Sequence, residues 1–181
     1  MSHSIQVLDK KFIPFLTADV IQQRVKEIAS EINRDYEGKN PLFIAVLNGS
    51  FMFAADLMKE INIQTAISFI KLASYKGTTS TGHVITAIGL EEALTNRHII
   101  LVEDIIDTGK TLHAFLPQLQ QQQPASIKIV SLLSKPSALK YPIHADYVGF
   151  EIPNKFVVGY GLDYDGAGRN ISEILQLKDA E

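Results

Sequence analysis

Apolar residues form one helical stripe near the start of the sequence and unbroken runs further along it. The stripe has i, i+4, i+7 and i+11 spacing and consists of Ile21, Val25, Ile28 and Ile32. This spacing predicts a helix with one face in the core, and Thr17 is placed to cap its first turn. A second helix is predicted over 51–61, and a third follows 111, where Leu112, Phe115, Leu116 and Leu119 keep helical spacing.

Two runs, 42–47 and 98–102, are apolar at every position. Such a run, bounded by turn signals, predicts a strand covered on both faces, as in a parallel sheet. Further strands are predicted over 65–72, 83–88, 127–133, 147–152 and 156–160. Because strands alternate with helices, we expect an α/β fold with a mainly parallel central sheet flanked by helices. Ligands of such sheets bind beyond the carboxyl ends of the strands, here after Leu47 and Val102.

Three local features qualify this outline. Pro117 lies inside the third predicted helix and is expected to kink it or to shift its start. The glutamines at 120–123 are expected to form a solvated helix end. Residues 73–82 are small, polar and rich in glycine and threonine, which predicts a surface loop of the kind that often acts as a lid. We expect this loop to join two antiparallel strands.

Composition narrows the functional classes. The 181 residues fit one domain. The absence of cysteine excludes disulfides, thiolate zinc sites, iron–sulfur clusters and cysteine nucleophiles. With 17 Lys+Arg against 20 Asp+Glu, the net charge of −3 offers no broad field for a nucleic acid. Neither a signal peptide nor a run of the ~18–20 apolar residues of a membrane span is evident, so we expect a soluble, cytoplasmic protein.

The segment after the 98–102 run contains the strongest candidate chemistry. Glu103 and Asp104 are adjacent carboxylates, and Asp107-Thr108-Gly109-Lys110-Thr111 opens the third predicted helix. The first amides of a helix have no acceptors within it and lie at the positive end of its dipole. This helix start is therefore a candidate cradle for a phosphate monoester. Ribose hydroxyls or a magnesium ion would suit the two acids beside it.

Two common nucleotide-binding patterns do not fit the sequence. A P-loop needs glycine at position 104, where the sequence has Asp, and the dinucleotide fingerprint beginning at Gly159 needs glycine at 164, where it has Tyr. Both patterns are therefore excluded. A purely structural interpretation stays open, in which Asp107 or Thr108 is an ordinary N-cap and Lys110 is a solvated side chain.

Residues 100–112 resemble the phosphoribosyl-pyrophosphate motif of type I phosphoribosyltransferases, in the form found in hypoxanthine (hypoxanthine-guanine) phosphoribosyltransferases. Residues 131–135 and 148–164 and the pair Ser74-Tyr75 are similar to the same family, and the resemblance covers about 42–169. It implies the type I phosphoribosyltransferase fold in one domain over 1–181. It also implies a flexible lid at about 73–82 and a purine-binding hood built from about 135–181 with the N-terminal residues.

The resemblance implies a reaction as well as a fold. Enzymes of this family move a 5-phosphoribosyl group from phosphoribosyl pyrophosphate to a purine and release pyrophosphate, with Mg²⁺ as cofactor. Hypoxanthine is the expected base, with guanine as a second one, giving IMP or GMP in purine salvage by a homo-oligomer (dimer or tetramer). One alternative is a guanine- or xanthine-preferring enzyme. Another is a nucleic-acid-binding regulator on the same fold, which the acidic charge and intact Asp107 and Lys135 disfavour.

The resemblance also assigns roles to individual residues. It makes Asp107 the candidate general base at purine N7. The 5′-phosphate is assigned to Asp107, Thr108, Gly109, Lys110 and Thr111. The ribose hydroxyls are assigned to Glu103 and Asp104, and magnesium is assigned to Glu103, Asp104 and Asp163. The purine site contains Lys135, Phe156, Val157 and Asp163. The pyrophosphate site contains Leu47, Asn48, Gly49 and Arg169, and the lid contains Ser74 and Tyr75.

The first loop departs from the family pattern. Many relatives have lysine where this sequence has Asn48, so a cation is missing beside the expected pyrophosphate site. The backbone role of the turn does not need the lysine, and a cis peptide at Leu47–Asn48 would fit the family.

Overall fold

The computed structural model describes residues 4–74, 84–88 and 92–178. In chain order the elements are β1 (Ile5–Val7), β2 (Lys10–Leu16), α1 (Ala18–Asp35), β3 (Leu42–Leu47), α2 (Phe51–Glu60), β4 (Ala66–Ser74), β5 (Val84–Ile88), β6 (His98–Ile106), α3 (Lys110–Gln120), β7 (Ser126–Ser134), β8 (Tyr147–Glu151), β9 (Val157–Val158) and β10 (Ile174–Leu177). Across the described ranges, no helix is long and apolar enough to cross a membrane.

The central sheet has the strand order β5-β4-β3-β6-β7-β8. Strands β4, β3, β6, β7 and β8 pair in parallel, and β5 pairs antiparallel with β4. Strand β3 is apolar at every position because its alternate residues face opposite sides of the sheet and both sides are covered. Phe43 and Ala45 pack with α1 and α2, whereas Leu42 and Ile44 pack with α3 on the opposite face. The predicted α/β fold with a mainly parallel sheet between helices is confirmed.

The first helix forms as its hydrophobic stripe predicts. The Thr17 side chain accepts a hydrogen bond from the Val20 amide at its start, and Ile21, Val25, Ile28 and Ile32 are fully buried. Helix α3 begins at Lys110 and runs through Pro117, so the proline does not mark a later start. The glutamines at 120–123 are exposed at the end of α3, as predicted.

Two element boundaries differ from the sequence prediction. Strand β6 continues four residues beyond Val102, because its parallel pairing with β7 extends to Ile106 opposite Ser134. Glu103 and Asp104 therefore lie within the strand rather than after it. Strand β9 is limited to two residues, since the chain turns at Gly159, where the backbone adopts a positive φ of 97°.

A second sheet, in the order β1-β2-β10-β9, was largely missed by the sequence pattern. It joins strands from both ends of the described chain and buries Phe12, Val158 and Leu175. Strand β8 belongs to the central sheet, so only the later part of 135–181 contributes strands to this second sheet. Of the expected lid at 73–82, Ala73 and Ser74 end β4, and Tyr75 with the rest of the lid lies outside the described residues.

Candidate active site

A cavity of about 230 Å³ opens at the carboxyl ends of the parallel strands. Its lining comprises Val46 of β3, Leu72 of β4 and the continuous stretch 103–112. The structure thus brings the expected acidic pair and the expected phosphate segment together around one space. This is the edge of the sheet at which parallel α/β folds bind their ligands.

The start of α3 has the geometry of an anion cradle. Gly109 is the N-cap residue with φ +77°, and without a side chain it makes no capping bond. The interpretation of Asp107 or Thr108 as the N-cap is therefore wrong. The carbonyl of Thr108 accepts hydrogen bonds from the amides of Lys140 and Tyr141, at 3.0 and 3.1 Å. These bonds fix the turn from outside, and the Lys110 amide donates to Oγ1 of Thr108 at 3.3 Å. The other first-turn amides of a helix have no acceptors within it and lie at the positive end of its dipole.

Of the two acids of β6, Glu103 is buried and Asp104 is half-buried. Glu103 is only 7% exposed, and burial, followed by the neighbouring charge of Asp104, raises its pKa well above the ordinary value. Burial also raises the pKa of Asp104, to about 6, although the Ile105 amide donates to its Oδ1 at 2.9 Å. Two adjacent, poorly solvated carboxylates repel each other, so a cation or several hydroxyl donors would stabilise their ionised forms.

Loop 47–49 comes within contact of these acids. Oδ2 of Asp104 lies where a Cβ at position 49 would be, so only glycine leaves room for it. The carbonyl oxygen of Gly49 in turn lies where a Cβ at Gly161 would be. The Leu47–Asn48 peptide is cis, and the Ser50 hydroxyl donates to the Val46 carbonyl at 2.6 Å. The sequence analysis predicted Gly49 as a site residue and did not predict Gly161, for which the Gly-Tyr-Gly pattern at 159–161 was the available signal.

Asp107 and Lys135 meet at the ends of two neighbouring strands. The register pairs Ile106 with Ser134, which puts the next residue of each strand at the same level. Nζ of Lys135 lies 3.0 Å from Oδ2 of Asp107. The lysine side chain is 8% exposed and the aspartate 47% exposed, so the carboxylate faces the open side of the pair.

A second acid–base pair lies in the segment after β9. Nη2 of Arg169 is 2.7 Å from Oδ1 of Asp163, and Nη1 donates to the Gly161 carbonyl at 2.7 Å. Oδ2 of Asp163 accepts from the Gly166 amide at 2.7 Å. Arg169 therefore reaches the same turn that touches Gly49, while part of its donor capacity is used within the segment.

Phe156 precedes β9 and presents an exposed ring. It is 45% exposed and packs edge-on against Tyr164, with ring centroids 5.9 Å apart. Phe12 supports it at 6.3 Å, while the neighbouring Val157 is buried. An aromatic ring that is braced on one side and open on the other suits stacking with a planar ligand.

Comparison with known proteins decides the family. The family described as "Phosphoribosyl transferase domain" matches residues 16–165. The chain belongs to the phosphoribosyltransferase family. Among relatives of this phosphoribosyltransferase, the hypoxanthine-guanine-xanthine phosphoribosyltransferase of Tritrichomonas foetus is 40% identical over 163 residues, covering 90% of this chain and 89% of that protein. The hypoxanthine-guanine phosphoribosyltransferase of Bacillus subtilis is 41% identical over 181 residues, covering 99% and 97%.

Solved structures agree with the sequence comparison. A hypoxanthine phosphoribosyltransferase from Staphylococcus aureus matches this phosphoribosyltransferase with a TM-score of 0.87 at 42% identity, covering 91% of this chain and 90% of that one. A hypoxanthine-guanine phosphoribosyltransferase from Bacillus anthracis matches with a TM-score of 0.86 at 40% identity, covering 91% and 98%. The family resemblance seen in the sequence is confirmed, and so is the type I phosphoribosyltransferase fold.

The carboxylates suit a magnesium ion that is shared with a substrate. No group of three or more acidic or histidine side chains capable of holding a metal occurs in the described part of the chain. Mg²⁺ commonly uses only one or two protein carboxylates and completes its shell with water and substrate phosphates. The adjacent carboxylates of Glu103 and Asp104, both with raised pKa values, fit that donor set.

Proposed function

We propose that the protein transfers the 5-phosphoribosyl group of phosphoribosyl pyrophosphate to hypoxanthine, and also to guanine, giving IMP or GMP and pyrophosphate in purine salvage. The observation that carries the proposal is the Asp107–Lys135 pair, 3.0 Å apart, directly before the anion cradle of α3. A purine base and a sugar phosphate can reach these two features at the same time, because Asp107 and the start of α3 line one cavity and Lys135 contacts Asp107 directly.

The 5′-phosphate would bind at residues 107–111. Amides of the first turn of α3 supply donors, the dipole favours the negative charge, and Thr108 and Thr111 add hydroxyl groups. Gly109 lets the backbone approach the phosphate oxygens closely. The same positioning would place the ribose over β6, where Glu103 and Asp104 accept hydrogen bonds from its two hydroxyls. Both ends of the sugar phosphate would thus be fixed before the reaction.

Magnesium would be held by Glu103 and Asp104, with Asp163 nearer the purine side. When bound, the ion supplies positive charge that stabilises the diphosphate leaving group. The remaining contacts to pyrophosphate come from the turn Leu47–Gly49 and from Arg169, whose forked guanidinium suits phosphate oxygens. The lid that includes Ser74 and Tyr75 would exclude water from the reacting carbon.

The purine would lie between Phe156 and the Asp107–Lys135 pair. N7 and O6 are neighbours on one edge of hypoxanthine, so adjacent carboxylate and ammonium groups can contact both atoms. Lys135 donates to O6, Phe156 stacks on the ring and Val157 offers backbone contacts. As the bond from ribose C1 to the diphosphate oxygen breaks and the bond to purine N9 forms, Asp107 accepts the proton of N7. General catalysis of this kind contributes about 10²-fold.

Cell location and assembly complete the proposal. The sequence has no cysteine, which is compatible with the reducing cytoplasm, where we propose that the enzyme acts. We also propose a homo-oligomer, either a dimer or a tetramer, because the resembling family assembles in this way. Light scattering of the purified protein tests the assembly, and a monomer at micromolar concentration would contradict it.

The decisive experiment is magnesium-dependent pyrophosphate release with hypoxanthine, guanine and xanthine as separate substrates. We expect turnover with hypoxanthine and guanine. Asp107→Asn should lower kcat by about 10–10²-fold, and Lys135→Ala should mainly raise KM for the purine. Lys128→Ala is the matched control, since Lys128 pairs with Asp146 at 2.7 Å away from the cavity. If no pyrophosphate were released with any of the three purines, the proposed function would be refuted.

A further inference from the structure

A partly buried hydrogen-bond network connects α1 and α2 to the turn at 159–161. The Tyr160 hydroxyl donates to Oδ2 of Asp56 at 2.7 Å, and Nε2 of Gln22 donates to the same oxygen at 2.6 Å. Gln22 also lies 3.4 Å from the Tyr160 oxygen, and Lys59 pairs with Oδ1 of Asp56 at 2.8 Å. The network therefore ties α1, through Gln22, and α2, through Asp56, to residue 160.

The charges of the network are consistent with a fixed ionised carboxylate. Burial alone would raise the pKa of Asp56. Hydrogen bonds from Lys59, Tyr160 and Gln22 outweigh burial and hold the pKa below its ordinary value of 3.8. Tyr160 is 1% exposed, and burial together with the Asp56 charge raises the pKa of its hydroxyl. The tyrosine thus remains a neutral donor to a charged acceptor, which is the stronger kind of hydrogen bond.

Tyr160 is held in an unfavourable backbone conformation. Its φ is +48°, between Gly159 at +97° and Gly161 at +101°. A non-glycine residue in this region costs about 1 kcal/mol or more and persists where its surroundings fix it. Tyr160 donates its amide to the Ile171 carbonyl at 2.7 Å. Side chain and backbone together therefore set the path of the turn.

The turn fixed in this way touches two parts of the proposed pyrophosphate site. The Gly161 carbonyl accepts from Nη1 of Arg169 at 2.7 Å, and the Gly161 amide donates to the Arg169 carbonyl at 3.0 Å. On its other side, Gly161 packs against the Gly49 carbonyl so closely that a Cβ would overlap it. A shift of residue 161 would consequently move Arg169 and loop 47–49 together.

We propose that Tyr160 is a positioning residue for the pyrophosphate half of the active site, acting through Gly161 on Arg169 and on loop 47–49. This inference rests on the proposed function, because that function assigns pyrophosphate to these residues. Of the residues assigned to the purine, Asp163 pairs with Arg169, whereas Lys135 follows β7 and contacts Asp107, and Phe156 and Val157 precede the turn. The network should therefore affect the two substrates unequally.

The competing explanation is that Tyr160 is merely a satisfied core tyrosine. Tyr147 provides a matched control, because its hydroxyl donates to Oδ2 of Asp35 at 2.9 Å. It is likewise a buried tyrosine bonded to a helix carboxylate, and burial and that charge raise its pKa too. It lies at the start of β8, at the opposite end of the strands from the cavity. Tyr147→Phe therefore reports the effect of losing such a bond on folding alone.

The experiment compares the steady-state kinetics of Tyr160→Phe and Tyr147→Phe with the wild type. We expect Tyr160→Phe to raise KM for phosphoribosyl pyrophosphate about tenfold and to leave KM for hypoxanthine within about twofold. Tyr147→Phe should leave both constants within about twofold. Asp56→Ala removes the acceptor of the same hydrogen bond and provides a second route to its loss if Tyr160→Phe does not fold. Equal effects on both substrates, or the same kinetics in both tyrosine variants, would overturn the proposal.

Hydrogen exchange separates this proposal from the proposed function. Amides of 47–51 and 159–169 should exchange faster in Tyr160→Phe than in the wild type and should be unchanged in Tyr147→Phe. If the wild-type protein releases no pyrophosphate, the proposed function fails, yet this measurement still tests the coupling of the turn to the loop. Unchanged exchange in both segments would overturn the inference even in a fully active enzyme.

Discussion

Asp104 packs directly against Gly49, because Oδ2 of the aspartate occupies the position that a Cβ atom of any other residue at 49 would need. Loop 47–49 and strand β6 come from different parts of the sequence, and this contact sets their separation. Gly49 belongs to the proposed pyrophosphate site, and Asp104 belongs to the proposed ribose site. Direct packing therefore positions the proposed pyrophosphate site relative to the proposed ribose site.

Replacing Gly49 with alanine tests this packing. The added methyl group must displace the Asp104 carboxylate or the loop, so we expect kcat/KM to fall by about 10²-fold, as misplacement by about 1 Å can cause. Gly38→Ala is the control, since Gly38 has φ +73° and a Cβ at that position would meet nothing within 4 Å. The control should lose about 1 kcal/mol of stability and keep its activity. Full activity in Gly49→Ala would contradict the steric argument.

Asn48→Lys introduces the cation that the family resemblance leads one to expect beside the proposed pyrophosphate site. The added charge should lower KM for phosphoribosyl pyrophosphate several-fold at low salt, by about 1 kcal/mol of Coulomb attraction in a solvated site. Because salt screens such charges, the gain should shrink when the ionic strength is raised. Asn48→Gln is the uncharged comparison. An equal improvement in Gln and Lys variants would show that charge is not responsible.

Arg24 protects the outer side of strand β8. Its guanidinium donates to the carbonyls of Val148 and Gly149 at 2.9 and 3.1 Å, and β8 is the last strand of the described sheet. Strand edges with free carbonyls invite pairing with other chains. Arg24→Met should therefore aggregate faster on heating, as followed by light scattering. Arg34→Met is the control, since Arg34 is 74% exposed and pairs with its neighbour Asp35.

The pKa of Asp56 predicts a pH-dependent contribution to stability. Because the folded protein holds this pKa below 3.8, the carboxylate stabilises the fold above its unfolded pKa, and the effect is lost as pH falls through the lower folded value. Asp56→Asn should lower the free energy of unfolding by about 1–2 kcal/mol at pH 7. In urea unfolding series the difference should narrow below about pH 4. If the difference in unfolding free energy between the wild type and Asp56→Asn stayed constant from neutral to acidic pH, the ionised Asp56 carboxylate would not be its cause.

The sequence predicted those parts of the fold that depend on local patterns. The runs in β3 and β6 are apolar at every residue because both sheet faces are covered, and the stripe of α1 repeats with one buried face. The strands of the second sheet lack such patterns. Strand β1 has three residues and β9 has two, and β2 pairs with β10 from the other end of the described chain. Their existence depends on tertiary contacts that a local pattern does not contain.

In the candidate site, too, the features carried by a local motif could be predicted and those that depend on tertiary contacts could not. The motif at 103–111 and the family resemblance were sufficient to place the acids and the helix start. Neither the contact of Gly161 with Gly49 nor the Tyr160–Asp56 hydrogen bond could be found in this way, because each joins residues more than 100 positions apart. The three successive positive-φ residues at 159–161 are partly visible in the sequence as Gly-Tyr-Gly, which was the available signal.

The register between β6 and β7 has a consequence for insertions and deletions. Asp107 and Lys135 meet because Ile106 lies opposite Ser134, and a residue gained or lost inside β7 would move the lysine by about 3.3 Å and reverse its face. The connection between α3 and β7 is held differently, since the carbonyls of Gln122 and Gln123 accept hydrogen bonds from Thr95 and Asn96. A change of length there would alter a surface contact, whereas a change of length inside β7 would separate the two side chains that the proposed reaction needs together.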